Sequence, residues 1–148
     1  MSDASTALAE IRTILGAHAY FAALPIVSVE DRDYNDQVAE IMDNLGACLL
    51  ALEPQPDPET FVTGRALVAT RIGLVYQSAE SVRRRSGILD KTPDQTMTEL
   101  MRAITTAQRN RSNWIEIAEG PRPVRDQNSG EIYRLIVLRH KSILTAST

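Results

Sequence analysis

The chain has one cysteine, two histidines and few aromatic residues, 5% of its 148 positions. A lone Cys48 has no internal disulfide partner, which suits a reducing compartment. His18 and His140 have no cysteine or second histidine at metal-ligand spacing, so no metal site is expected. Scarce aromatics leave few platforms on which nucleotide bases could stack. No apolar run exceeds Ala47 to Leu52, far short of the roughly 18 residues that a membrane-spanning helix needs. The opening MSDASTALAEIR carries early acids in place of a basic-then-apolar block, and no secretion signal is expected. Serine-elbow, zinc-helix and phosphate-cradling glycine motifs are all missing.

What is there has globular proportions: 43% hydrophobic and 24% charged residues. The length suits a single domain over residues 1–148, large enough to fold without disulfide or metal staples. The net charge of −3 hides a division. Residues 1–60 hold eleven acids against two arginines, whereas residues 61–148 hold fourteen bases against eight acids. Fourteen of the sixteen bases are arginine, the better partner for forked pairs with carboxylates. Such a division is either neutralised inside one fold or used to set an acidic side against a neighbour's basic side.

Asp3 or Ser5 can cap a first helix along which Leu8, Ile11, Leu15 and Ala19 recur at helical spacing. Ala22–Val29 ends in a short strand with Pro25 at its mouth. From Asp31 to Leu45 the stripe Tyr34, Val38, Ile41, Met42 and Leu45 predicts a helix, capped by Asp31 or Asp33 and stopped by Gly46. Ala47–Leu52 reads as a buried strand, and the proline-rich EPQPDPET as a loop. Residues 61–77 alternate as one long, half-buried antiparallel strand, with Gly64 and Gly73 as bulge positions. Residues 78–91 read as a loop. Thr92, Pro93 and Gln95 open a helix with a capping box, and Met97, Leu100, Met101 and Ile104 form its buried stripe. Residues 114–119 form a strand, GPRPVRDQNSG a connection with an edge segment and a turn, and residues 131–144 a closing strand. The expected class is α+β: a twisted, mainly antiparallel or mixed sheet of four or five strands, with about three helices packed on it.

Candidate chemistry thins out on inspection. Asp31-Arg32-Asp33-Tyr34-Asn35 begins like a calcium loop, but Asp36 stands where a glycine is required and Met42 where a bidentate glutamate is required. Acids at a helix start are favoured by its dipole alone. Cys48 lies in an apolar run, where cysteine is usually an inert small hydrophobe. Arg83-Arg84-Arg85, with Arg122 and Arg125, could form a nucleic-acid patch, but the chain is acidic overall and poor in aromatics. A solvated loop or a protein-interface loop suits these arginines better. No catalytic residue and no cofactor site are expected. The candidate interface residues are Asp31, Asp33, Asp36, Glu40, Arg83, Arg84, Arg85, Arg122 and Arg125.

The stretch LPIVSVEDRDYNDQVAEIMDNLGACLLALEP, followed by TGRALVATRIGLVYQ, TPDQTMTELMRAITTAQ, Trp114 and RPVRDQNSGEIYRLIVLRHKS, resembles the element order of tail-terminator and tail-completion proteins of long-tailed bacteriophages. The likeness spans most of residues 5–144. It implies a non-enzymatic virion protein, made in the host cytoplasm, that forms a homohexameric ring. Such a ring caps the tail tube, meets the tube protein and the head–tail connector, and lets DNA pass through its lumen. The alternatives are another neck or completion protein, or a small non-catalytic protein-binding module.

Overall fold

The structure is a computed structural model that describes residues 4–57, 61–62, 65–78, 91–107, 114–125 and 132–145. Helices α1 (Ala4–Gly16) and α2 (Ala19–Ala22) lead into strand β1 (Ile26–Ser28). Helix α3 (Tyr34–Asn44) connects β1 to β2 (Ala47–Ala51), and β3 (Gln55–Asp57), β4 (Phe61–Val62) and β5 (Arg65–Ser78) follow. Helix α4 (Pro93–Ala107) precedes β6 (Trp114–Arg125) and β7 (Ile132–Thr145).

The strands form one mixed sheet in the order β1-β2-β5-β7-β6. Among the described strands only β1 and β2 run parallel, with Val27 opposite Leu50, because a helical crossover can return the chain in the same direction. β5 is the axis of the sheet. One of its edges pairs with β7 from Arg65 to Tyr76 without a slip. Its other edge is shared by β2, β3 and β4. The class is therefore α+β with a mainly antiparallel sheet. Its main path has five strands, and four helices stand among the described residues.

The two sheet faces differ. Leu49, Ile72, Leu74, Tyr76, Ile136 and Leu138 point to one face and meet Ile11 and Leu15 of α1 and Met97, Leu100 and Ile104 of α4. This is the alternation that a half-buried strand needs. Val27 and Cys48 are buried on the other face, where α3 packs on β1 and β2. Arg134 of β7 ties the start of α4 to the sheet through Asp94, 3.1 Å away.

Several expectations hold at residue level. Thr92 N–H donates to Gln95 Oε1 (2.9 Å) and Gln95 N–H to Thr92 Oγ1 (3.2 Å), the reciprocal box that opens α4. Gly46 has φ 83°, a left-handed conformation that stops α3 at little steric cost. Others are corrected. Helix α1 ends at Gly16, and Ala19 is exposed at the start of α2, so it extends no stripe. Asp33 occupies the N-cap position of α3 without a side-chain capping bond; its Oδ1 accepts from Gln37 Nε2 instead (2.7 Å). Within the supposed loop, Gln55–Asp57 pairs with β5 as a strand. β3 pairs on one side only, so Pro56 can turn its missing donor outward. Residues 61–77 are not one strand: Phe61 pairs with Ala66 and Val62 with Arg65, so β4 and β5 are antiparallel neighbours. Gly73 is no bulge. It sits in register with Val137, and an added Cβ would meet Leu52 Cδ1 at 3.0 Å and Leu135 Cδ1 at 3.2 Å. The register shifts fall in β6 instead, between Ile117 and Arg122. β6 runs on through Arg125, taking in most of the expected connection. The expectations for Asp3, Gly64, the 79–90 loop and the 128–130 turn lie outside the described residues.

Candidate functional site

The chemistry-bearing side chains do not converge. His140 is buried on the helix-clad face of β7, in register with Thr70 and Ile115. Cys48 points from β2 to the opposite face, and burial pushes its thiol up to about 11, which makes it a poor nucleophile at neutral pH. His18 stands at the junction of α1 and α2. There its Nδ1 accepts from Tyr20 N–H (3.3 Å), which leaves the proton of the neutral ring on Nε2, 3.4 Å from Glu99 Oε2. Cys48 and His140 thus lie on opposite faces of the sheet and form no pair.

His18 does border a groove of about 530 Å³ between α1 and α4. Ile14, Ala17, Ala103 and Ala107 supply its apolar lining. Glu99 is the one carboxylate among the described lining residues, held between His18 and Arg102, whose Nη1 lies 2.9 Å from Oε1. Among the described residues the groove brings together no second acid and no thiol with which a reaction could be shared. Among the described residues no three His, Cys, Asp or Glu side chains gather to hold a metal. No described helix is long and apolar enough to cross a membrane.

The predicted interface residues fall into two places. Asp31, Asp33, Asp36 and Glu40 are all exposed, on α3 and the turn before it. Asp43 continues the same surface. Between Glu30 and Asp43 six acids face a single arginine, Arg32. No ion pair among the described residues takes up Asp31, Asp36, Glu40 or Asp43. Arg122 and Arg125 are exposed on β6. β1, beneath α3, is one edge of the sheet, and β6 is the other. Acid and base therefore stand at opposite margins of the molecule. Arg83, Arg84 and Arg85 lie outside the described residues.

Sequence reasoning missed the Glu99 contacts and a second charged group on the sheet face away from the core. There Glu116 Oε1 lies 2.9 Å from Lys141 Nζ and 3.4 Å from Arg139 Nη1, while Glu119 Oε2 lies 3.7 Å from Arg71 Nη2. Only strand register places these side chains together, and register is not written locally. The alternation Pro121-x-Pro123 was a usable signal, since an inner strand cannot lose two donors in this way.

No family model matches the chain, and no curated protein matches it in sequence.

Proposed function

We propose that this protein is a structural assembly subunit that works by binding copies of itself, in the manner of a bacteriophage tail terminator. One observation carries the reading: an open sheet bears an acidic helix at one edge and exposed arginines at the other. Complementary patches at different places on one chain make head-to-tail contacts, and such contacts close into rings when the rotation permits. On this reading the ring is a hexamer that sits in the virion at the end of a tail tube, between the tube protein and the head–tail connector. DNA passes through it without being read. No side chain is assigned a catalytic role and no cofactor is required.

Light scattering on eluting protein, at low and at high salt, tests the proposal together with electron microscopy of the same sample. The expected result is a ring that loosens as salt rises, because exposed ion pairs are screened beyond about 8 Å at physiological ionic strength. A chain that stays monomeric at low salt, at its highest soluble concentration, would overturn the reading.

A further inference from the structure

We propose that the contact between copies is made by α3 of one chain against the segment Pro121–Arg125 of β6 of the next. This rests on the self-assembly reading above and names the two surfaces that carry it. Helix α3 packs on β1 and β2, yet it buries no residue completely: Tyr34, Val38, Ile41 and Met42 are half-buried, while Leu45, just past its end, packs against the core. An amphipathic helix stripe is normally covered on its apolar side, so this one has contact area left to give. Asp36, Glu40 and Asp43 stand exposed beside it.

The end of β6 has the complementary character. Pro121 and Val124 are half-buried, Pro123 is exposed, and Arg122 and Arg125 are exposed between and after them. Glu119, the acid just before this segment, is engaged by Arg71. Two prolines withhold two backbone donors from this edge, so a further strand pairs poorly with it. Their rings and Val124 offer apolar surface instead, which suits the side of a helix. The partner is therefore a helix face with an apolar stripe and acidic flanks, and α3 is such a face.

The two surfaces cannot meet within one chain. β2, β5 and β7 separate β1 from β6, four strand spacings or roughly 19 Å. The contact is thus intermolecular, and it joins unlike patches.

Paired charge reversals test the assignment. One variant carries Asp36→Arg and Glu40→Arg; the other carries Arg122→Glu and Arg125→Glu. All four positions are exposed, and circular dichroism checks that each variant is folded. Each variant alone should associate roughly tenfold more weakly or worse, because like charges then face each other across the contact. An equimolar mixture should recover the wild-type mass: the basic α3 of one variant meets the acidic β6 of the other, and the acidic α3 meets the basic β6. Native mass spectrometry reads the alternation directly. If the wild type assembles and both variants assemble equally well, the docking mode is wrong while self-assembly stands. If the variants dissociate but the mixture does not recover, these charges do not face one another and the assignment is overturned. A wild type that never assembles removes both proposals together.

Discussion

Helices α3 and α4 look alike in sequence and differ in the fold. Each carries an acid in its first turn, Asp36 or Asp94, and each shows an apolar stripe at helical spacing. Yet α4 buries Thr96, Met97, Leu100 and Ile104, whereas α3 buries nothing completely. Helix α4 lies against α1, β6 and β7, so it meets partners on more than one side. Helix α3 lies at the margin, over the two strands that begin the sheet. A stripe shows that a helix has a side to cover. It does not show that its own chain supplies all the cover. In the proposed assembly, the neighbouring copy supplies the rest.

Truncation of the two stripes is the strongest way to break this contrast. Leu100→Ala removes a fully buried side chain from the core and should cost about 2–5 kcal/mol in urea unfolding, through lost burial and the cavity left behind. Ile41→Ala, at a half-buried site on α3, should cost less than about 1 kcal/mol at a concentration where the chain is monomeric. Equal costs would mean that α3 is as much a core helix as α4.

A second test asks whether α3, half-covered itself, still seals the sheet face beneath it. Cys48 is fully buried on that face, and burial raises its thiol from the ordinary 9.0 to about 11. The unfolded chain releases this proton from about pH 9, while the folded chain keeps it until about pH 11. The contribution is therefore fully present below pH 9 and is lost as pH climbs between the two values. It amounts to about 2–3 kcal/mol at most. Unfolding of the wild type and of Cys48→Ala across that window should show a steeper alkaline decline in the wild type. Alkylation of native Cys48 near neutral pH should be slow for the same reason. Rapid alkylation without unfolding would show that α3 lifts away from the sheet.

Much of the architecture was legible because it is local. The capping box at Thr92 and Gln95, the left-handed Gly46 and the alternation along β5 each need only a few neighbours to be specified. What escaped is non-local. β3 forms around Pro56 because β5 offers it an edge, and Phe61–Val62 pairs antiparallel with β5 instead of continuing it. Helix α2 is held from a distance, by the buried 2.9 Å hydrogen bond between Tyr20 Oη and Thr96 Oγ1 of α4. The same division applies to the candidate interface. Exposure of Asp31, Asp33, Asp36 and Glu40 followed from helix position. Their separation from Arg122 and Arg125 by the width of the sheet followed only from strand order.

The smallest effects separate the two helix starts. At α4 two otherwise orphan backbone donors are satisfied reciprocally by Thr92 and Gln95, so Thr92→Ala should cost about 1 kcal/mol. At α3 the residue in the same position, Asp33, makes no capping bond, and its φ of −104° and ψ of 23° leave it short of the extended backbone usual there. Its carboxylate instead meets Gln37 one turn on, an exposed side-chain pair worth about 0.2–0.5 kcal/mol. Asp33→Ala should therefore lower the unfolding free energy in urea by only a few tenths of a kcal/mol. The sign follows from position as well as from the bond: Asp33 also places negative charge at the positive end of the helix dipole, so its removal should destabilise slightly, and less so in high salt. A loss as large as that of Thr92→Ala would mean that Asp33 caps α3 in solution. The start of α3 would then be as firmly fixed as that of α4, and the contrast between the helices would rest on burial alone.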